Sequence, residues 1–235
     1  MNKLGLYPYF DHWFNKGGTV WLYSDPHFND PDSEFFRKNC PSPDEQVKLI
    51  NKYCGKNDTL IILGDVGDIE YVKKLKAGYK VLIKGNHDDK GDYFYKRNVE
   101  YDYVCHGETG VVLSKKLISD NHLFDEVIRG ALIIRHDIVL SHEPYDSKYE
   151  FNIHGHDHNC QILKNLDNDN KPLIQKQLDY IKNEGLNRFN CCCEWTNYLP
   201  VNLNTIIKSG VLKNSIDIHR EAIDKQSENP LHKKY

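Results

Sequence analysis

At 235 residues, 39% of them hydrophobic and with a formal charge of −3, the chain can bury the core of one large α/β domain, assigned to 1–209, with a peripheral tail at 210–235. The basic residues are scattered, so neither long nucleic acid nor a membrane is expected as a partner, and the oligomeric state is left open. No apolar run approaches the roughly 20 residues of a membrane span, and "MNKLGLYPYFDHWF" lacks the basic start and apolar middle of a secretory signal. A soluble, cytoplasmic protein is expected.

Short apolar, β-rich runs at 19–24, 59–63, 79–83, 131–135, 137–141, 151–155 and 188–192 read as buried strands. Between the first two, "SPDEQVKLINKYC" offers Ser42 as a helix cap before Pro43, Asp44 and Glu45, with Val47, Ile50 and Tyr53 on one face. "IEYVKKLKAG" supplies a short helix ending at Gly78. Strand, helix, strand, helix, strand implies a parallel sheet with right-handed crossovers. The strand-dense second half suggests a second, more antiparallel sheet packed on it, giving an α/β/β/α sandwich. Residues 161–187 look like an accessory insertion, either over a site or on the surface. The seven cysteines form no CxxC pair. "CCC" reads as a strand with Cys191 and Cys193 facing one way and Cys192 the other, as reduced thiols in a core.

The strand ends carry the chemistry. Asp25 and His27 follow the first strand, Asp65 and Asp68 the second, and Asn86, His87 and Asp88 the third. His142 and the pair His156 and His158 follow two later strands. Open α/β sheets bind ligands at the carboxyl ends of their strands, so these groups are expected to share one crevice. Carboxylates, imidazoles and one amide, without thiolate, suit Mn²⁺, with Fe, Zn²⁺ or Ni²⁺ as alternatives. Seven such groups are too many for one tetrahedral ion. Two ions about 3.5 to 4 Å apart would use them all and suit a phosphoryl displacement.

In order along the chain, Asp25-Pro26-His27, Gly64-Asp65-Val66-Gly67-Asp68, Gly85-Asn86-His87-Asp88, His142 and Gly155-His156-Asp157-His158 match DxH, GDxxD, GNHD, a lone His and GHxH. The chain resembles the calcineurin-like metallophosphoesterases over about 19–207, and "NCCCEWTNYLPVNLNTI" is similar to the terminal element of a small bacterial and phage subgroup. The resemblance implies the metallophosphoesterase fold, a four-layer sandwich of two mixed sheets. It also implies that Asp25, His27, Asp65 and His158 hold one metal, and that Asn86, His142 and His156, with Asp65 bridging, hold the second. A metal-bridging hydroxide would be the nucleophile and His87 the proton donor. Asp68 would orient His87, and Asp88 would support the turn.

Asn29, Arg37, Asn197 and Tyr198 are candidate substrate contacts, with ordinary packing or surface roles as the alternative for each. His12, His106, His122, His136, His219 and His232 fit no motif slot, while His154 abuts the GHDH turn and is a candidate support for it. Protein phosphatases of this superfamily continue GDxxD with Arg-Gly and carry GNHE. Here Ile69 and Glu70 follow Asp68, and Asp88 closes the motif, which disfavours a phosphoprotein substrate. The expected activity is hydrolysis of a small, possibly nucleotide-derived phosphodiester. The alternatives are a phosphomonoesterase and a non-catalytic interaction scaffold; the latter would be expected to have lost ligands that are all present here.

Overall fold

Four strands build the parallel centre of a seven-stranded sheet in a computed structural model that describes residues 10, 17–31, 33, 37, 40–90, 98–107, 110–117, 123–135, 137–145, 149–166 and 170–215. The tail beyond 215 and the histidines His12, His122, His136, His219 and His232 lie outside the described residues. The central strands are β1 (Val20–Tyr23), β2 (Thr59–Ile62), β3 (Tyr79–Ile83) and β6 (Glu126–Arg129), side by side and parallel. Outside them lie β5 (Gly110–Leu117) and β4 (Asn98–Gly107) on one edge and β11 (Val201–Asn202) on the other, all paired antiparallel. A second sheet runs β10 (Arg188–Asn190), β9 (Phe151–His154), β8 (Ile138–Leu140), β7 (Leu132–Ile134).

Side-chain parity packs the two sheets together, because successive residues of a strand point to opposite faces. Val20, Leu22, Ile61, Leu63, Val81, Ile83 and Ile128 of the large sheet share one core with Leu132, Ile134, Ile138, Leu140, Phe151, Ile153 and Phe189 of the small one. On the far face of the large sheet, Tyr23, Leu60, Ile62, Leu82 and Val127 pack with Val47 and Ile50 of α1 (Pro43–Tyr53) and with Val72. Helix α1 starts where the capping signal lies: Ser42 and Glu45 form a reciprocal box, and Pro43 stands at the first turn. Helices α2 (Gln161–Asn165) and α3 (Leu173–Glu184) precede β10, and α4 (Leu203–Ser209) follows β11. Among the described residues no helix is long and apolar enough to cross a membrane.

Several expectations change. The helix expected to end at Gly78 is a 3₁₀ helix, Ile69–Lys74, capped by Asp68 and closed by the Leu75 N–H on Val72 O. Its two adjacent lysines and one buried residue, Val72, give it little apolar face to extend an α-helix. The small sheet is not mainly antiparallel: β10 with β9 and β9 with β8 are parallel, and only β7 with β8 is antiparallel. The connection through α2 and α3 returns the chain in the same direction, as a helical crossover does. The cysteine triplet is not a strand with two faces. Strand β10 ends at Asn190, Cys192 makes a lone bridge to Ser24, and a turn begins at Cys193. The turn rotates Cys193 into the outer core of the large sheet, while Cys191 stays in the core between the sheets.

Candidate metal centre

The loops after β1 and β2 are zipped together by backbone bonds. Asp25 N–H donates to Gly64 O at 3.1 Å, His27 N–H to Asp65 O at 3.0 Å and Phe28 N–H to Val66 O at 2.8 Å. From the second sheet, Gly155 N–H donates to His142 O at 2.8 Å, placing the GHDH turn beside His142. Cys193 N–H reaches Ser24 O, tying the end of the small sheet to the end of β1. Asp25 (φ 55°), His27 (φ 43°), Asp65 (φ 51°) and His156 (φ 69°) all lie in the left-handed region, which costs a side-chain-bearing residue roughly 1 to 2 kcal/mol. Such conformations persist where surrounding bonds over-determine them, and here the zipped loops do so.

One group of ligand atoms is buried and unsatisfied. Asp25 Oδ2 accepts from Ser24 Oγ and from His156 N–H, but among the described residues neither Asp25 Oδ1 nor His27 Nε2 has a hydrogen-bond partner. His158 Nε2 lies 3.6 Å from Asp25 Oδ1, and His27 Nε2 lies 3.5 Å from Asp65 Oδ2. Buried polar atoms are ordinarily paired, so two orphans aimed into one place fit a cation. His27 Nδ1 is bonded to Asp30 Oδ2 at 2.9 Å, which puts the ring's lone pair on Nε2. Burial, with Arg37 nearby, lowers the His27 pKa against the pull of Asp30, favouring the neutral ring a metal needs.

A second group adjoins it. Asn86 Oδ1 lies 2.9 Å from His142 Nε2 and 3.2 Å from His156 Nδ1, and these two nitrogens are 3.1 Å apart. Asp65 Oδ2 is 3.5 Å from His142 Nε2, so one carboxylate oxygen stands between both groups. His142 Nδ1 donates to Leu63 O at 2.7 Å, again leaving Nε2 as the lone pair. Two sets, Asp25 with His27 and His158, and Asp65 with His142 and His156, are each close enough to hold a metal ion.

The glycines of the motifs are explained by close approach. A Cβ on Gly155 would lie 1.9 Å from Ser24 Oγ and 2.3 Å from Asp25 Oδ2, and one on Gly85 would lie 2.2 Å from Asp65 Oδ1. Gly85→Ala is therefore expected to displace the Asp65 carboxylate and weaken metal binding at least about tenfold, which calorimetric titration with Mn²⁺ measures.

Supporting residues complete the arrangement. Asp88 is buried and accepts three backbone N–H bonds, from Gly85 and Asp65 on Oδ2 and from Val66 on Oδ1. Burial pushes its carboxyl up to about 6 against those donors. Glu194 was not anticipated: it pairs with Arg37 Nε at 2.7 Å and with His158 Nδ1 at 3.1 Å. Burial alone would raise Glu194; the His158 bond and the Arg37 charge more than offset it and hold the carboxyl at about 2. Burial would likewise lower His158, but Glu194 and Asp25 raise it. Asp30 was also missed, although an acidic residue three positions after His27 was a visible signal. Cys192 is a buried free thiol, as expected, but it also touches the site: its Sγ lies 3.2 Å from His158 Nδ1 and 2.9 Å from Glu194 Oε2. These three can also hold a metal ion, but Arg37 Nη2, 2.9 Å from the same His158 nitrogen, sets a permanent cation against one.

The ligand atoms open on a cleft of about 800 Å³ whose lining includes His87, Arg37, Asn197, Tyr198 and, from the segment between β9 and β10, Gln161, Lys164 and Leu173. That segment thus lines the cleft. His87 is exposed there, its N–H donating to Asp65 Oδ1 at 2.9 Å and its ring edge-on to His27 with centroids 5.1 Å apart. The Asp68 carboxylate accepts from Glu70 N–H as a helix cap, and among the described residues no hydrogen bond joins it to His87. Arg37 commits donors to Glu194, Asp25 O and Pro26 O. Asn29 lines a neighbouring shallow cleft with His27 and Arg37.

No protein-family profile and no curated protein matches the chain. Among solved structures it is similar to a protein of unknown function from Aquifex aeolicus, with 17% identity over 81% of this chain and 98% of that one and a TM-score of 0.46. It is also similar to the nuclease MPE of Pseudomonas putida, with 19% identity over 59% of this chain and 61% of that one and a TM-score of 0.36. The class defined by fold and site is an α/β protein of two mixed sheets with clustered His and Asp groups that can hold metal.

Proposed function

We propose that the protein is a hydrolase of small phosphoesters that works with two divalent metal ions, Mn²⁺ foremost, in the four-layer sandwich of the calcineurin-like metallophosphoesterases. One observation carries the reading: the strand-end motifs meet in one cleft, with Asp25 Oδ1 and His27 Nε2 buried and unpartnered. Asp25, His27, Asp65 and His158 would hold one ion, and Asp65, Asn86, His142 and His156 the other. When bound, such a pair neutralises phosphoryl charge and lowers the pKa of water.

The residues divide the remaining work. Asp88 fixes the backbone of Asp65 and Gly85, so the bridging carboxylate is held before substrate arrives. His87, exposed beside His27, is free to give a proton to the leaving oxygen. Lys164 and Asn197, which both line the cleft, would meet the rest of a substrate. An open cleft of about 800 Å³ has room for both arms of a diester, and a small diester is preferred over a monoester. Free thiols at Cys54, Cys160 and Cys191 to Cys193 fit a reducing, cytoplasmic compartment.

The test is turnover of chromogenic phosphodiesters and monoesters by the purified protein with Mn²⁺ or after chelation. Metal-dependent hydrolysis, faster on diesters, is expected. A protein that binds two metals and turns over no phosphoester would overturn the reading. His87→Ala is expected to lower kcat about 10²- to 10⁴-fold while metal content stays at the wild-type value.

A further inference from the structure

Among the described residues the His87 backbone N–H is bonded to Asp65 Oδ1, while the His87 ring makes no hydrogen bond. Asp68, the carboxylate that the resemblance assigns to that ring, is engaged as the cap of the 3₁₀ helix Ile69–Lys74, accepting from Glu70 N–H. An imidazole that moves a proton at a fixed place is ordinarily oriented by a third group. The fold supplies a different carboxylate for that task.

An Asp30 carboxylate oxygen, a ring nitrogen of His87 and a ring nitrogen of His27 all lie within 4.8 Å of one another. Asp30 Oδ2 accepts from His27 Nδ1 at 2.9 Å, and the His27 ring meets the His87 ring edge-on at an interplanar angle of 76°. All three residues line the metal cleft. The gap to His87 is one that a single bridging water or a small rotation of the exposed His87 side chain closes. The backbone fixes Asp30 in this place. Its N–H donates to His27 O at 3.2 Å, Ser33 Oγ donates to its carbonyl at 3.0 Å, and Phe28 is bridged to Gly67 of the GDxxD loop. The Asp30 side chain is 19% exposed, so its charge is screened less than that of a surface carboxylate.

We infer that Asp30, rather than Asp68, is the positioning carboxylate of the centre, fixing the His27 ring through Nδ1 and orienting the His87 ring toward the leaving oxygen. The inference rests on the phosphoesterase reading and deepens it: one carboxylate ties the ring that would hold the first ion to the ring that would give the proton. The same three residues are close enough to ligate an ion of their own. His27 has no nitrogen to spare for one, because Nδ1 is bonded to Asp30 and Nε2 faces Asp65 at 3.5 Å.

Asp30→Asn tests this in the full chain, since it is isosteric and its amide oxygen still accepts from His27 Nδ1. With saturating Mn²⁺, kcat on a chromogenic diester is expected to fall about 10- to 100-fold, with KM within about twofold of wild type and two ions still bound. In a His87→Ala background the same substitution should cost less than about twofold, because groups that act as a unit are not additive. An equal loss in both backgrounds would mean that Asp30 serves His27 alone. A loss of kcat in Asp68→Asn with none in Asp30→Asn would return the role to Asp68, and three ions in the wild type against two in Asp30→Asn would make Asp30 a ligand. Each of these results overturns the inference. A second readout needs neither substrate nor metal: the ring-nitrogen NMR signals of His87 in the metal-free protein should shift in Asp30→Asn and stay in place in Asp68→Asn. Unshifted signals in Asp30→Asn overturn the inference whatever the turnover, whereas shifted signals in a protein that hydrolyses no phosphoester overturn the hydrolase reading alone.

Discussion

Asp65→Ala is expected to abolish loading of both metals and to lower phosphoester turnover by on the order of 10³-fold or more. Asp65 offers one oxygen to both ligand groups: its Oδ2 is 3.5 Å from His27 Nε2 and 3.5 Å from His142 Nε2. The other oxygen, Oδ1, holds the His87 N–H at 2.9 Å, so the substitution also frees the turn that carries Asn86 and His87. Asp65→Asn separates these roles, because an amide oxygen can keep the His87 bond but not the bridging charge. Metal analysis should find fewer than one ion per chain in both variants, with melting temperatures of the metal-free proteins close to one another. Two tightly bound ions in Asp65→Ala would remove Asp65 from the centre.

Three strands of the parallel centre, β1, β2 and β3, were readable from their apolar runs, and helix α1 because Ser42 and Glu45 form a box at its start; β6, which reads Glu-Val-Ile-Arg, was missed because charged residues flank only two apolar ones. The pair β4 and β5 was missed because "NVEYDYVCHG" and "GVVLSKKL" mix charged and polar residues with apolar ones and so present no unbroken apolar run. Direction in the small sheet was misread for a related reason. Apolar runs reveal that a strand exists, while parallel or antiparallel pairing depends on the connection, here α2 and α3.

At the site, the residues inside the motifs were legible, whereas Asp30, Glu194 and the pairing of Arg37 with Glu194 were not. Asp88 reads as support from its place after His87, and its three backbone bonds show how it acts. Arg37 and Glu194 carry no motif. They meet where the Cys193 N–H bond to Ser24 O joins the end of the small sheet to the end of β1.

Glu194→Gln is expected to cost roughly 3 to 5 kcal/mol of stability, the range for breaking a buried ion pair by removing one partner. Arg37 and Glu194 are only 6% and 15% exposed, so solvent cannot replace the lost charge. The acid limb of stability should change with it. Glu194 has a folded pKa of about 2 against an ordinary 4.5, a depressed value. Its contribution is therefore present above about 4.5 and lost as pH falls towards 2, amounting to about 3 kcal/mol. Urea denaturation of the metal-free protein should show this loss in the wild type and a flatter profile in Glu194→Gln. Metal affinity should fall too, by about 10- to 100-fold, because Glu194 bonds to the ring nitrogen of His158 opposite the one facing Asp25. A variant with wild-type acid stability and wild-type Mn²⁺ affinity would mean that Glu194 orients neither Arg37 nor His158, and that the geometry of the first ligand group is set by the zipped loops alone.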